Sequence, residues 1–191
     1  DGVFVEPTSL TPPMVLTRLN FGTGVFGAAT QPPASPSTLL YAVCADFDGD
    51  GDADLVGSDY TPTTVLLPGG PAGFGAPVVV GSGFVPLGAL DVTSDGTSEL
   101  VVIENGGVVA SRAYVAGVFG PPTVVAGPFA YGSDPAVGFG LRTGTPFGAD
   151  LDGDGDRDLV LRNRRGPVRL INDGAGALHP QYGRSGPLDA L

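Results

Sequence analysis

Apolar residues occur in short runs broken by Gly, Pro, Asn and Asp. Runs such as Val78–Val80 and Val101–Ile103 are β-branched and bounded by turn residues, which is the signature of short strands. The pattern predicts strands over Leu39–Ala45, Thr64–Leu67, Pro77–Val80, Leu100–Glu104, Val108–Tyr114, Thr123–Val125, Leu159–Arg162 and Val168–Ile171. A further strand, Val85–Leu90, leads into Asp91. No segment sustains a helical apolar period over three turns, so an all-β fold is expected. Composition agrees: 32 Gly and 19 Pro in 191 residues would interrupt any long helix. No apolar stretch is long enough to span a membrane.

Two segments are nearly identical: Ala45-Asp-Phe-Asp-Gly-Asp-Gly-Asp-Ala-Asp-Leu-Val56 and Ala149-Asp-Leu-Asp-Gly-Asp-Gly-Asp-Arg-Asp-Leu-Val160. A third, Leu90-Asp-Val-Thr-Ser-Asp-Gly-Thr-Ser-Glu-Leu-Val101, is eroded. Each is followed by a β-rich run and a Gly-rich turn. The turn's apolar residue (Phe74, Phe119 or Leu178) stands 28 positions after the first loop Asp each time. A fourth turn, Gly24-Val-Phe26-Gly27, places an earlier repeat at the N-terminus. Aligning Asp1 with the first loop Asp gives repeat starts at 1, 46, 91 and 150. The repeats are then approximately 1–45, 46–90, 91–149 and 150–191, in a single tandem-repeat domain. The third carries an insertion within Ala126–Thr145. In the first, Val3, Val5 and Ser9 fall at ligand positions, so that copy cannot bind a cation by itself. Four-stranded units of this size must bury their faces on their neighbours.

Gly186–Leu191 resembles Val85–Leu90, the strand before a loop Asp. The chain therefore reads as a whole number of repeats cut between a strand and its loop. The first unit lacks its lead-in strand and the C-terminus holds a spare one. That strand could close a ring in cis, add to the first unit of a neighbouring copy, or pair with nothing. Addition in trans without closure would give a filament.

The acid is clumped where the repeats are. The chain has 17 Asp and 3 Glu against 9 Arg and no Lys, for a net charge of −11, and five Asp lie within 46–54 and five within 150–158. This balance excludes binding to nucleic-acid phosphates. Asp46, Asp48, Asp50 and Asp54 hold loop positions one, three, five and nine, with Gly51 at six and the Asp52 carbonyl offered at seven. Alternating carboxylates on a curled loop can converge on one point. All donors are oxygen, which suits Ca²⁺ better than Mg²⁺ and argues against Zn²⁺. Asp150, Asp152, Asp154, Asp156 (carbonyl) and Asp158 repeat the set, with Gly155 at six. Asp91, Thr93, Asp95, Thr97 (carbonyl) and Glu99 form a third, depleted set whose binding stays open. An EF-hand is excluded: position twelve is Gly57 or Leu161, where a bidentate Glu is needed, and the flanks read as strands. Two Ca²⁺ sites are expected, and two filled sites would bring the charge from −11 to −7.

The Asp-x-Asp-Gly-Asp-Gly-x-x-Asp-Leu loop, followed by Phe74-Gly75-Ala76-Pro77, resembles the FG-GAP/VCBS repeat. The resemblance covers nearly the whole chain, and it implies β-propeller blades with Ca²⁺ in the inter-strand loops. Such repeats build integrin α-subunit propellers and secreted proteins, some lectins among them. The expected architecture is thus tandem four-stranded propeller-type blades. The first would be completed by the C-terminal strand, in cis or from a neighbour. The blade count departs from the family's usual seven.

Other residues carry less. His179 is the only His and Cys44 the only Cys. No Ser-His-Asp or Cys-His pattern accompanies them, so His179 reads as a turn residue and Cys44 as a small buried one. Glu6, Glu99 and Glu104 are not marked as a glycosidase pair, and no enzyme is expected. Five Arg within 157–169 read as a solvated face or as a patch for an acidic partner. The Ser/Thr clusters beside Pro33, Pro36 and Pro62 could carry O-glycans. The chain begins at Asp1, not Met, as expected of a removed signal peptide or of a fragment of a longer chain. The sequence thus predicts an extracellular Ca²⁺-stabilised protein that assembles head-to-tail with copies of itself. The alternative is a monomeric, lectin-like module that binds glycans.

Overall fold

A computed structural model describes residues 2–6, 14–18, 39, 41–58, 63–71, 73–104, 108–126, 147–163 and 166–182. Strands, turns and bends occupy these residues, with no helix among them. The all-β expectation is met. The strands are β1 (Gly2–Glu6), β2 (Met14–Arg18), β3 (Tyr41–Ala45), β4 (Asp54–Ser58), β5 (Thr63–Leu67), β6 (Val78–Ser82), β7 (Phe84–Leu90) and β8 (Glu99–Glu104). They continue as β9 (Val109–Arg112), β10 (Tyr114–Val115), β11 (Val118–Phe119), β12 (Thr123–Ala126), β13 (Phe147–Ala149), β14 (Asp158–Asn163), β15 (Gly166–Asn172) and β16 (Leu178–Tyr182).

Three four-stranded sheets result, ordered β3-β4-β5-β6, β7-β8-β9-β12 and β13-β14-β15-β16. The pairs whose register is defined run antiparallel. Register repeats between units. Leu55 opposes Leu67 in one sheet, and Leu159 opposes Leu170 in another. Each acidic loop is the connection between the first and second strand of its sheet. β1 and β2 form a separate antiparallel pair. This departs from the alignment of Asp1 with a loop, because Gly2–Glu6 form a strand where a loop was expected. Alternating Val3 and Val5 favour a pleated strand over a curled turn. The strand at Asp54–Ser58 was also missed. It is buried on both faces, so it lacks the alternation that marks a half-exposed strand.

The chain divides into two compact units: residues 1–86 with 115–119, and residues 87–114 with 120–191. In the first, Leu39, Leu55 and Leu67 form a buried cluster against which Ala42, Val65 and Phe74 pack. Phe119 meets Phe47 edge-on, with ring centroids 5.3 Å apart and planes at 84°, a favourable aromatic geometry. In the second, the sheets built on β8 and β14 share one core. Leu87, Val101 and Val109 lie with Leu159, Leu170 and Leu178 in that cluster. Phe74, Phe119 and Leu178, spaced identically in the sequence, therefore all serve as apolar anchors of their turns. The insertion and the Gly186–Leu191 strand lie outside the described residues. Among the described residues no helix is long and apolar enough to cross a membrane.

Candidate metal centre

Each acidic loop is folded by its own carboxylates. In the first, Asp46 accepts from Gly49 N–H (2.7 Å) with one oxygen and from Gly51 N–H (3.0 Å) with the other. Asp48 accepts from Asp50 N–H at 3.2 Å, and Asp50 from Asp52 N–H at 2.8 Å. The loop at Asp150 repeats these bonds. Asp150 accepts from Gly153 and Gly155, Asp152 from Asp154, and Asp154 from Asp156. Gly51 and Gly155 have φ of 90° and 101°, so the left-handed turn expected at position six is present. Position four is left-handed as well, at Gly49 (80°) and Gly153 (86°), which the sequence reading overlooked.

These turns bring carboxylates together. One oxygen from each of Asp46, Asp48 and Asp50 lies within 4.8 Å of the others, as does one from each of Asp150, Asp152 and Asp158. Either cluster could hold a metal ion. The donors fit one: all are hard carboxylate oxygens, and all but Asp158 are at least partly exposed. Asp54 and Asp158 differ from the rest in being fully buried. Asp54 accepts from Phe47 N–H (3.0 Å) and from Gly69 N–H (2.7 Å). Asp158 accepts from Leu151 N–H (2.6 Å) and from Asn172 N–H (2.8 Å). Position nine thus ties the loop to the second and third strands. Each of its oxygens keeps a further lone pair for a cation. Burial pushes the Asp54 carboxyl above its usual range, against the pull of its two backbone bonds, and the nearby Asp48 and Asp50 charges add to the rise. Asp152 is raised too, by desolvation and by its neighbour Asp154.

The loop at Asp91 keeps the turn with a thinner donor set. Asp91 accepts from Asp95 N–H and Gly96 N–H, and Asp95 from Thr97 N–H. Glu99, in the position of Asp54, is buried and accepts from Val92 N–H at 2.8 Å, while Thr93 Oγ1 lies 3.5 Å from its other oxygen. Burial raises its carboxyl above the ordinary range. Ser94 at position four is left-handed, with φ 55°, where the other two loops carry glycine.

His179 lies on β16 and pairs through Nε2 with Asp173 Oδ2 at 2.9 Å. That bond, helped by Ala177 and Ala175 N–H, holds the Asp173 carboxyl down to about 2. Cys44 is exposed on its surface area, contrary to the expected burial, although the protein around it desolvates the thiol and pushes it up to about 11. Glu99 and Glu104 stand five residues apart on β8 and so point to opposite faces. Glu104 is bound to Arg112 at 2.8 Å. Arg157 and Arg169 are exposed.

Fold and site together define a class: tandem four-stranded antiparallel repeats, with an acidic turn between the first two strands of each. No family model matches the chain, and no curated protein does. Among solved structures it is similar to a lectin of Agrocybe aegerita, described for its specific recognition of non-reducing terminal N-acetylglucosamine. The TM-score is 0.55 and the identity 23%, over 88% of this chain and 46% of the lectin's. The chain therefore spans about half of that lectin's length. More distant likenesses are to a Photorhabdus luminescens Tc holotoxin pore (TM-score 0.38, 15% identity, 96% of this chain and 12% of that one) and to Citrobacter koseri AztD (0.40, 12%, 88% and 41%). The likeness to the lectin is one of fold.

Proposed function

We propose that this is a calcium-stabilised blade-repeat protein of the FG-GAP/VCBS type that acts outside the cell as a carbohydrate-binding module. The observation that carries the metal half is the convergence of three carboxylates in each of two loops built alike, 104 residues apart between Asp46 and Asp150. A divalent cation there would neutralise like charges crowded into one turn. Because the folded loop binds it and the unfolded chain does not, the cation would stabilise the fold by mass action. The resident ion is Ca²⁺ on this reading, for its tolerance of a flexible all-oxygen shell. The fold likeness to an N-acetylglucosamine-recognising lectin supports the glycan half. The reading assigns the chain no catalytic step.

The test is retention of the full chain on immobilised glycans ending in N-acetylglucosamine, in Ca²⁺ and in EDTA, with particle size followed by light scattering. Retention of a small, monodisperse protein in Ca²⁺, lost in EDTA, is expected. Long particles in Ca²⁺ that ignore glycans would replace this reading with head-to-tail assembly. That alternative rests on the strand that the sequence predicts over Gly186–Leu191.

A further inference from the structure

The loops at Asp91 and Asp150 belong to adjacent sheets of one compact unit, and they touch. Ser94 Oγ donates to Asp156 Oδ1 at 2.9 Å. The end of β15 and the turn after it add two more bonds: Asn172 Nδ2 donates to the Asp91 carbonyl (3.1 Å) and Gly176 N–H to the Val92 carbonyl (3.0 Å). Gly174 stands beside the first contact. A Cβ there would run into the Asp156 carboxylate and come within 2.9 Å of Ser94 Oγ. Ser94 also occupies a left-handed conformation where the two acid-rich loops use glycine. For a non-Gly residue that conformation is costly, and the hydroxyl bond to the next sheet is what the side chain gains there.

Resting on the calcium reading above, we propose that Ser94 is a positioning residue for the cation site of the neighbouring loop. Asp156 stands at position seven, where the backbone carbonyl is the donor offered to the metal. Its side chain is held by Ser94, and its N–H donates to Asp154 Oδ1 at 2.9 Å. The residue is thus fixed from both sides before the ion arrives, which removes part of the ordering cost of binding. A depleted loop thereby serves the loaded loop beside it. Linkage makes the effect mutual: an ion at the Asp150 loop would steady the loop at Asp91. Gly49, the counterpart of Ser94 in the first loop, has no hydroxyl to offer its neighbour.

The experiment is calorimetric titration of the full chain with Ca²⁺ in an Asp48→Ala/Asp50→Ala background, which removes two of the three clustered carboxylates of the first loop and leaves the set at Asp150 intact. Ser94→Gly removes the hydroxyl and relieves the backbone. Ser94→Asn keeps a donor on a residue that tolerates the left-handed region. Glycine should weaken Ca²⁺ binding about three-fold, the scale of one solvent-facing hydrogen bond. It should leave the metal-free protein no less stable, and asparagine should restore the affinity. A purely structural serine would instead shift metal-free stability and leave the affinity alone. Equal affinity for Ser94→Gly and its parent, with Ca²⁺ still bound, overturns this role and spares the calcium reading. No Ca²⁺ binding by the Asp48→Ala/Asp50→Ala parent overturns this role, and none by the native chain overturns both.

Discussion

Replacing Asp54 with asparagine separates what the loop's acids do for the fold from what they do for a cation. Asp54 is fully buried and its two oxygens accept from Phe47 and Gly69 N–H. Asparagine keeps one acceptor and turns an NH2 group toward the other backbone N–H. One bond to a charged acceptor is lost, worth ~1.5–3 kcal/mol, and a buried N–H is left unpaired. Some of this is returned, since burial already penalises the charged form. A net loss of ~2 kcal/mol follows, or about 4–8 °C in Tm for a chain of this size. The assay is thermal unfolding in EDTA, where no metal contributes. Asp48→Asn is the control. Asp48 is exposed, and its amide oxygen can still accept from Asp50 N–H. It should melt with the native protein in EDTA and lose part of the Ca²⁺-dependent stabilisation, the share that the first loop supplies. If Asp54→Asn melts with the native protein in EDTA, or Asp48→Asn falls as far, the division of labour between positions three and nine is wrong.

Gly69→Ala should destabilise the protein in EDTA without removing any acid, because its Cβ would lie 2.5 Å from the Ala53 carbonyl oxygen; an unchanged melting curve would show that the backbone yields there. The hydrogen bond from His179 holds the Asp173 carboxyl down to about 2, below the ~3.9 of a free side chain. Its contribution to stability is present above pH ~4 and is lost as pH falls toward 2, since the unfolded state binds the proton first. His179→Ala removes the largest cause, so the Asp173 carboxyl, followed by carbon NMR, should move up toward the ordinary range; an unmoved midpoint would contradict the assignment.

The repeat was legible because its markers are spaced by the fold itself. The loop Asp and the apolar turn residue sit on the same unit, so their separation survives even where a ligand has eroded, as at Thr93. Strands with one open face, such as Thr63–Leu67, could be read from their pattern. Asp54–Ser58 could not, because both of its faces are covered and period-two alternation disappears. Position nine was read only as a ligand. Its second role depends on Gly69 and Asn172, 15 and 14 residues further along, which no local motif reports. The Ser94–Asp156 bond joins residues 62 apart and is equally invisible in sequence. A sharper signal was present in the glycines: Gly49 and Gly153 recur at position four, and recurrence of glycine there marks a left-handed turn. The N-terminal unit was misaligned for a physical reason too. A turn fixes where a repeat ends, but with no acids left the start has no marker.

The central claim is that the two acidic loops are Ca²⁺ sites that hold the fold together. The most direct test is a calorimetric titration of EDTA-stripped full chain with Ca²⁺, paired with melting curves before and after. The account predicts two saturable sites at the loops of Asp46 and Asp150, and a rise in Tm that grows with free Ca²⁺, reaching ~2.7 kcal/mol of stabilisation per site at a hundred-fold excess over Kd. Absence of binding heat together with identical melting curves in Ca²⁺ and EDTA would contradict it.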